Sequence, residues 1–521
     1  MKLTNWIKKT IALALAGCMA LSMAGCGDGN TDVTKNDDYN GGKEVKIAIW
    51  NAGMGVEYLE KMIKVFNAKQ SDWYITYEAS AIKESLTSQF GLDDTDPTDI
   101  YIINRNYDTK YMEPLDDVLN STADGDQMPL IDKFNKSYLE MEIASDGHYY
   151  TLTNGGGVIG IVYNKNLFDR AGIEVIPRTT DELAVVCDQL LEANVTPIAN
   201  FGTGGYWDFF IDAWQSQYDS FDYYINNFHG CTDLNGNSPS KEVFTTKDGR
   251  YQVLKALEKI VTPEYVVAGA SSETHTSMQT KFLNMDIGMM VNGAWLANEM
   301  KEVGDMDHYG VMRTPVISAI TDKLTSVRGD KELRALVSAL DTVIDGEKTA
   351  EDYKSGEYYM VNGKKVTEAD WNYVMEARTT TAVNYVGQST FIPNYSTEKE
   401  GAKEFLKFYF SDEGMKIYAD ATHINLPMEL STGEKIDTSN WNGFELAMEE
   451  VLQKTEYHVS YYMMNRHPIY RSGGAFRYFG SIVAILSSRN PEDRNDADGI
   501  WEEMMYYVDQ RYERDWLANI Q

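Results

Sequence analysis

The feature that most constrains the fold is an alternation of strand and helix patterns in the first hundred residues after a polar N-terminal stretch. Residues 44–50 (EVKIAIW) alternate between apolar and polar side chains, which is typical of a β-strand. Apolar residues then recur at helical spacing over 56–66, and strand patterns return at 73–78 and 99–103. This order predicts parallel βαβ units and therefore an α/β domain.

A second block of the same kind follows. Strand patterns occupy residues 159–163 and 286–291. Thr179 and Glu182 have the spacing of a capping box, so a helix is expected over 181–193. The sequence thus predicts more than one α/β unit in the 521-residue chain.

Two further local signals lie in the C-terminal half. Residues 359–366 contain the pair Asn362-Gly363, which favours a type I′ turn and predicts a surface hairpin. Thr397 and Glu400 form a second capping-box pattern and predict the start of a helix.

The N-terminus has the pattern of an export signal. Residues 1–25 combine a positive start, a short apolar run and small residues before Cys26, which predicts a secretory signal peptide. Ala-Gly-Cys also resembles the lipobox of bacterial lipoproteins, in which the Cys is lipidated. Cys18 is an alternative site, but the polar tether over 26–43 favours Cys26. A secreted protein cut near Ala24 without a lipid anchor is the other alternative.

Net charge narrows the list of partners. The chain carries −32, and loss of residues 1–25, which contain three lysines and no acidic residue, leaves −35. So acidic a chain is repelled by phosphate backbones, and nucleic acid is not an expected partner.

After the signal peptide and the anchor only two cysteines remain in the chain. Cys187 lies among apolar helix positions and Cys231 in a polar loop, and the sequence leaves open whether they form a disulfide.

Two short segments resemble a cofactor motif and a metal motif, but each lacks a feature that the motif requires. Residues 155–160 match GxGxxG, but a strand pattern follows where a dinucleotide site needs a helix, so we interpret them as a glycine-rich hinge. Asp233, Asn235 and Asn237 resemble half of a calcium loop, yet Ser238 stands where the loop needs Gly. No cofactor and no metal site is expected.

Several segments together resemble a known family. They are 44–50, 58–61 and 111–117, the run 146–154 (DGHYYTLTN) continued by 163–168, the run 282–295 ending in Asn292-Gly293-Ala294-Trp295, and 402–406. In this order they resemble the extracellular solute-binding proteins, family 1, which serve ATP-binding-cassette sugar importers. The resemblance covers the chain from about residue 44 nearly to its end.

The resemblance implies a two-lobed α/β fold of the periplasmic-binding-protein kind, with a hinged cleft between the lobes. Carried over by position, it gives a signal peptide at 1–25, a tether at 26–43, lobe one at 44–154 plus 386–428, and lobe two at 155–385 plus 429–521. Ligand contacts to both lobes would favour the closed state.

A sugar offers apolar C–H faces and a rim of hydroxyls, so its site needs flat aromatic rings and planar amides. Trp295 behind Asn292 is the expected stacking residue, and Tyr206 or Trp207 follow a flexible glycine loop, although either of these two could pack in the core. Strand ends and the first crossover add amide candidates, and the resemblance adds two residues near the C-terminus. The predicted ligand-binding residues are Trp50, Asn51, Asn104, Asn106, Asn154, Tyr206, Trp207, Asn292, Trp295, Arg477 and Tyr478.

The resulting hypothesis is a monomeric, lipid-anchored receptor on the outer face of the bacterial cytoplasmic membrane. It would bind an oligosaccharide and deliver it to the permease subunits of an ABC transporter, without breaking a bond. A secreted glycoside hydrolase using paired carboxylates is the alternative, because such acids have no fixed spacing. A structural adhesion protein would show repeats, and none is found.

Overall fold

The computed structural model describes residues 31–32 and 39–520, with gaps at 89, 91–96, 104–108, 156, 385–387, 461–465, 473–480 and 519. Its strands are β1 (Thr31–Asp32), β2 (Lys43–Trp50), β3 (Trp73–Ser80), β4 (Ile100–Ile103), β5 (Leu152–Thr153), β6 (Ile159–Asn164), β7 (Thr196–Ala199), β8 (Ile287–Gly293), β9 (Tyr309–Met312), β10 (Lys354–Ser355), β11 (Tyr358–Val361), β12 (Lys364–Thr367), β13 (Thr380–Ala382), β14 (Ser389–Phe391) and β15 (Tyr457–Val459).

The α-helices follow the same chain order. They are α1 (Glu57–Lys69), α2 (Lys83–Thr87), α3 (Asp116–Leu119), α4 (Leu130–Lys133), α5 (Lys136–Glu142), α6 (Lys165–Arg170), α7 (Thr180–Glu192), α8 (Trp207–Asp219), α9 (Glu242–Thr245), α10 (Gly249–Ile260), α11 (His275–Asn284), α12 (Leu296–Met300), α13 (Gly329–Ile344), α14 (Glu368–Arg378), α15 (Lys399–Tyr409), α16 (Asp412–Thr422), α17 (Gly443–Gln453), α18 (Ile482–Leu486) and α19 (Ala497–Arg511).

The first lobe is built on a six-stranded sheet in the order β1-β3-β2-β4-β14-β5. β2 runs parallel to β3 and β4, which confirms the predicted βαβ units, whereas β14 is antiparallel to β4 and β5. Val45, Ile47 and Ile49 of β2 face the main core, and Ala48 faces a smaller apolar cluster on the other side. The sheet is therefore covered on both faces, as parallel strands require.

The second lobe is built on a four-stranded sheet in the order β7-β8-β6-β9. β7 and β8 are parallel, and β6 lies antiparallel between β8 and β9. The helix predicted after Thr179 is present as α7, and the Thr179 hydroxyl accepts a hydrogen bond from the Glu182 amide at 3.2 Å. The Glu182 carboxylate accepts from the amide of Arg178, one residue before the cap, so the capping box is only half formed.

The connections between the lobes pass close to one another. β13 pairs in parallel with β15, and Val158 forms an isolated bridge with Val383. The Val383 amide also donates to the Val459 carbonyl at 3.0 Å. A single set of buried apolar residues runs through this region and includes side chains from both sheets.

Two local predictions need correction, and one is confirmed. The helix predicted from Thr397 and Glu400 is present as α15, but it begins at Lys399 after Glu398, so the capping box itself is wrong. The Glu398 amide lies within hydrogen-bond distance of the Asp99 carboxylate and the Ser396 hydroxyl instead. The Asn362-Gly363 turn is confirmed, with φ angles of 47° and 78°.

The environment of Cys231 also differs from the prediction. It lies in a turn between polar residues, as predicted, but its side chain is buried in an apolar cluster with Phe244, Tyr470 and Trp516. Cys187 and Cys231 are both free thiols.

Candidate functional site

The best candidate site lies where chain segments at the ends of sheet strands from the two lobes meet. In the first lobe, β2 ends at Trp50 and is followed by the turn 51–55. In the second lobe, β8 ends at Gly293 and is followed by Trp295. Open α/β sheets collect ligands at the carboxyl ends of their strands, so this junction is the expected place for a cleft.

Trp295 and Tyr206 form an aromatic corner on the second lobe. Trp295 immediately precedes α12, and its ring lies over Gly293, where any Cβ would overlap it. Its ring meets that of Tyr206 edge-to-face, with centroids 5.3 Å apart. Burial raises the pKa of Tyr206 to about 12, the charge of Glu299 adds to this rise, and a hydrogen bond with Trp295 opposes it. Trp295 is 8% exposed and belongs to the same main apolar core as Trp207, so only a small part of its ring is accessible at the junction in this conformation.

The first lobe approaches this corner through a glycine. A Cβ placed on Gly53 would lie 2.7 Å from Glu299 Oε1 and 3.1 Å from Trp295 Cβ. Nearby, the Asn298 side-chain amide donates to the Thr422 carbonyl at 2.8 Å. The lobes are therefore in direct contact beside the aromatic corner.

Glu299 was not predicted from the sequence. It follows Trp295 by four residues, and its Oε2 accepts a hydrogen bond from Gln279 Nε2 at 2.7 Å. Burial raises the pKa of Glu299, and the bond from Gln279 opposes that rise. The Oε1 atom of Gln279 is buried without a hydrogen-bond partner among the described residues. The spacing of four from Trp295 was the signal that could have found Glu299, since it puts both on one face of a helical turn.

Trp50 and Asn51 lie at the first-lobe side of the junction, as predicted from the end of β2. The half-buried Trp50 ring donates from Nε1 to the Ala81 carbonyl at 3.2 Å, and the Asn51 side chain is exposed. Asn51 therefore has an amide available to solvent, whereas Trp50 is tied to the neighbouring loop.

Asn154 belongs to a buried network between the crossovers. Its Nδ2 donates to the Tyr58 hydroxyl at 3.2 Å, and that hydroxyl donates to Gln388 Oε1 at 3.0 Å. Gln388 Nε2 then donates to the Trp50 carbonyl at 3.0 Å. This chain of hydrogen bonds joins Asn154 and Gln388 to the end of β2 through Tyr58. Tyr58 and Gln388 were missed because they are 330 residues apart in sequence.

Asn292 and Trp207 are placed in the interior. Asn292 is fully buried, and its Oδ1 accepts from the Gly293 amide at 2.8 Å, which shapes the turn before Trp295. Trp207 is 2% exposed and packs on Phe210 and Trp214 in the second-lobe core. Of the neighbouring pair, Tyr206 is the one at the junction.

The helix that begins at Trp207 has a buried polar face. Asp208, Asp212, Gln215 and Ser216 repeat at helical spacing, and we call them the α8 polar face. Burial raises the pKa of Asp208 to about 6 and that of Asp212 to about 8. For Asp212, the charge of Asp208 adds to the rise, whereas the Tyr224 hydroxyl and the Arg466 charge oppose it.

Many atoms of the α8 polar face are unpaired. Asp208 Oδ1, the Ser216 hydroxyl and both polar atoms of the Gln215 side chain have no hydrogen-bond partner within the described part of the chain. The sequence analysis treated 206–229 as an aromatic-rich segment and did not identify the polar residues that α8 places on one face.

The remaining predicted residues lie outside the described residues. They are Asn104, Asn106, Arg477, Tyr478 and Cys26.

The described residues contain no group of three or more His, Cys, Asp or Glu side chains arranged to hold a metal ion. The Asp233 carboxylate is already bonded by the amides of Asn235 and Asn237 and by the Ser240 hydroxyl, so the half calcium loop is an ordinary turn. Gly160 lies within β6, which agrees with the rejection of a dinucleotide motif.

Comparison with known proteins places the chain in one family. The model of the bacterial extracellular solute-binding protein family matches residues 54–416. A binding protein of Brucella abortus (strain 2308) is similar, with 23% identity over 386 residues, covering 71% of this chain and 85% of that protein.

Solved structures agree on the fold. The GacH receptor of Streptomyces glaucescens, crystallised without ligand and with acarbose, is 13% identical with a TM-score of 0.56, covering 90% of this chain and 99% of that one. The solute-binding protein RafE in complex with raffinose is 14% identical with a TM-score of 0.57, covering 89% and 99%. Among the described residues, no helix combines the length and apolar character needed to cross a membrane.

Proposed function

The chain belongs to the bacterial extracellular solute-binding proteins, a family of binding proteins that are not enzymes, and on this premise we propose that it binds an oligosaccharide and passes it to an ABC importer. The observation that carries the proposal is the aromatic corner of Trp295 and Tyr206 at the contact between the lobes. A rigid, nearly buried ring beside amide and carboxylate groups suits the C–H face and hydroxyl rim of a sugar.

We propose the following boundaries for the two lobes and the following position for the hinge. Lobe one comprises 44–154 plus 386–428, and lobe two comprises 155–385 plus 429–521. The network of Asn154, Tyr58 and Gln388 supports a hinge near 154 and 388, because it ties both crossovers to one helix of lobe one. Opening at that hinge would separate Gly53 from Glu299 and expose Trp295 to a ligand.

The positions of the predicted ligand-binding residues at the junction between the lobes support the following roles. Trp295 and Tyr206 would stack on the sugar, and Asn51 would reach its rim from the first lobe. Asn154, Asn292 and Trp50 would support these residues from behind. Asn104, Asn106, Arg477 and Tyr478 remain predictions from the sequence.

The location of the protein is a separate part of the proposal. Lipidation of Cys26 after removal of residues 1–25 would hold the protein at the outer face of the cytoplasmic membrane, where permease subunits receive the ligand. Cys26→Ala should release the protein into the medium or leave an uncleaved precursor. Normal processing and retention of Cys26→Ala, together with loss of both in Cys18→Ala, would place the anchor at Cys18.

The function is tested by a thermal-shift screen of the purified protein against plant, host and microbial glycans. A true ligand raises the melting temperature by mass action, and a ligand at 100 times its Kd stabilises by about 2.7 kcal/mol. Chromatography of the same mixtures after overnight incubation should show intact sugars. Stabilisation by amino acids or peptides but by no glycan would reject the proposal, and released sugar products would revive the hydrolase alternative.

A further inference from the structure

The polar tether is attached to the edge of the first-lobe sheet at two separate points. The backbone of β1 pairs antiparallel with β3, and Thr31 lies opposite Ala79. Further along the chain, the Tyr39 ring meets that of Tyr74 edge-to-face, with centroids 5.0 Å apart. Residues 33–38 join these two attachments and lie outside the described residues. Both ends of this short segment are therefore fixed to the same strand.

Asn40 and Gly42 hold the second attachment in place. Asn40 Nδ2 lies within 3.0 Å of the carbonyl oxygens of Asn67, Gln70 and Trp73. A Cβ on Gly42 would overlap the backbone of Trp73, so the chain passes that strand closely. The tether is thus bound to the C-terminal end of α1 and to the start of β3 before β2 begins.

The backbone of β3 limits how far its pairing with the tether extends. The Ile75 amide donates to Asn67 Oδ1 at 2.9 Å, and the Ile75 carbonyl accepts from Asn67 Nδ2 at 3.2 Å, so neither group is directed at β2. Backbone polar groups alternate between the two edges of a strand, and Tyr77 therefore faces the same outer edge as Ile75. The register of β1 puts Val33 opposite Tyr77. Because Asn67 already occupies the edge at Ile75, residues 34–38 have to leave the ladder after that pair.

A groove lies along the course that these residues have to take. Its volume is about 900 Å³, and it is formed by residues 74–77 of β3 and by side chains of α1. Tyr77 lines one end, where the ladder stops, and Asn40 lines the other, where the tether is attached again. Ile63 of α1 adds apolar surface to the groove. The shortest path from the first attachment to the second runs along it.

The charges of the groove and of the segment occur in matching order. On α1, Glu60 comes first, at the Tyr77 end, where it accepts a hydrogen bond from the Tyr77 hydroxyl, and Lys64 follows one turn later. The segment carries Lys35 first and the acidic pair 37–38 after it. Each charge on the segment therefore meets one of opposite sign when the segment follows the groove from Tyr77 towards Asn40.

We propose that this groove is the docking site of residues 33–38. Val33 adds one pair to the ladder between β1 and β3, and residues 34–38 cross the groove beside α1. The chain from Cys26 to Thr31 then spans at most roughly 18 Å. With a lipid on Cys26, the β3 edge of the first lobe would face the membrane at that distance. The docking itself depends neither on the anchor nor on the ligand proposed above.

Lys35 makes the docking measurable, because it is the only basic residue between Cys26 and Lys43. Trypsin cleaves after Lys35 only when the segment leaves the groove, so the cleavage rate reports the undocked population. In the purified mature protein, cleavage after Lys35 should be at least about tenfold slower than in a free peptide of residues 27–43. Val33→Pro removes the amide that faces Tyr77 and should bring the rate to within about twofold of that of its own peptide. Gly29→Pro, which lies before β1, is the control and should leave cleavage slow.

A second pair of variants tests the groove itself. Lys64→Glu should accelerate cleavage after Lys35 roughly threefold or more, because it places a negative charge against the acidic pair 37–38. Lys61→Glu is the matched control on the same helix, since Lys61 lies outside the groove and pairs with Asp420 at 3.7 Å. It should change the rate by less than about twofold.

Three results would overturn the proposal. Cleavage of the wild type as fast as that of the peptide, or equal rates in Val33→Pro and Gly29→Pro, would show that residues 33–38 do not dock. Equal rates in Lys64→Glu and Lys61→Glu would exclude this groove as the docking place. Protection that is lost on dilution of the protein would assign the groove to a second copy of the chain.

Discussion

The first lobe and the second lobe both bury carboxylates, but they satisfy them differently. In the first, Lys133 lies 2.6 Å from Asp126 and 2.8 Å from Asp412, and its Nζ also donates to the Phe410 carbonyl at 2.9 Å. Asp412 further accepts from the amide and hydroxyl of Ser431, both at 2.8 Å. We call these residues the lysine cluster. On the α8 polar face, by contrast, Asp208 Oδ1, Gln215 and Ser216 lack partners in the described chain.

The carboxyl groups of the two regions also differ in the direction in which their pKa values are shifted. Burial by itself would raise the pKa of Asp412. The hydrogen bonds from Lys133 and Ser431, together with the positive charge of Lys133, hold this pKa below its ordinary value. Burial raises the pKa of Asp212 to about 8, because Tyr224 and Arg466 compensate only in part. Fully paired groups specify a structure, whereas unpaired polar groups in an interior retain the capacity to bind water or a ligand. The comparison therefore contrasts carboxylates that are fully paired in the lysine cluster with a polar face in the second lobe that is only partly paired among the described residues.

The largest effect should come from breaking the lysine cluster. Lys133→Met leaves Asp126 and Asp412 buried without their cation, and should lower the free energy of unfolding by about 3–5 kcal/mol. Urea unfolding measures this loss. Lys69→Met is the matched control, because Lys69 pairs with Glu413 on the surface and should cost only about 0–1 kcal/mol. Similar costs for both variants would show that the lysine cluster does not hold the lobe together.

The next effect concerns pH and has opposite signs in the two regions. Because the folded pKa of Asp212 is raised, the folded state holds a proton that the unfolded state releases, and stability falls as pH rises from about 4 to about 8. The slope is on the order of 1.4 kcal/mol per pH unit, or about 3 kcal/mol between pH 5 and pH 7. Asp212→Asn should remove this part of the slope in urea unfolding at the two pH values.

The lysine cluster should show the reverse behaviour. Because the pKa of Asp412 is lowered in the folded state, its carboxylate stabilises the protein at every pH above the ordinary pKa of Asp, about 4. That stabilisation is lost as the pH falls below about 4 and through the folded pKa. A wild-type stability that is flat between pH 5 and pH 7, and unchanged in slope by Asp212→Asn, would contradict the description of the α8 polar face.

The smallest effect compares two buried serines. The Ser431 hydroxyl donates to Asp412 and accepts from the Gln127 amide at 2.9 Å, so Ser431→Ala should cost about 1–2 kcal/mol. The Ser216 hydroxyl is equally buried but unpaired, and Ser216→Ala should change stability by less than about 0.5 kcal/mol. Thermal unfolding of both variants measures the contrast, and a larger cost at Ser216 would mean that its hydroxyl has a partner after all.

Much of the fold could be predicted because it follows from periodicity. The alternation in β2, the cap at Thr179 and the Asn362-Gly363 turn are local patterns, and each appears in the structure. The capping box at Thr397 failed because a distant residue, Asp99, holds the chain there instead. Local signals are reliable until a contact from elsewhere in the chain competes with them.

The site was less predictable for the same reason. The sequence marked Trp295 and Tyr206 correctly as neighbours of glycine turns, but it could not separate Tyr206 from Trp207, because only the helix direction decides which ring enters the core. It also missed Tyr58 and Gln388, whose contact depends on two crossovers meeting in space. Whether Trp295 contacts a ligand stays a prediction.

The most direct test of the central claim is a pair of measurements on Trp295→Ala, with Trp207→Ala as the neighbouring control. For the glycan that raises the melting temperature most, Trp295→Ala should lose about 2–4 kcal/mol of binding, or roughly 30- to 1,000-fold in affinity, together with a fall in melting temperature because its ring is also buried. Trp207→Ala should lose about 3–5 kcal/mol of stability and keep the affinity of its folded fraction. A Trp295→Ala protein with a collapsed melting temperature and near-wild-type affinity would contradict the account.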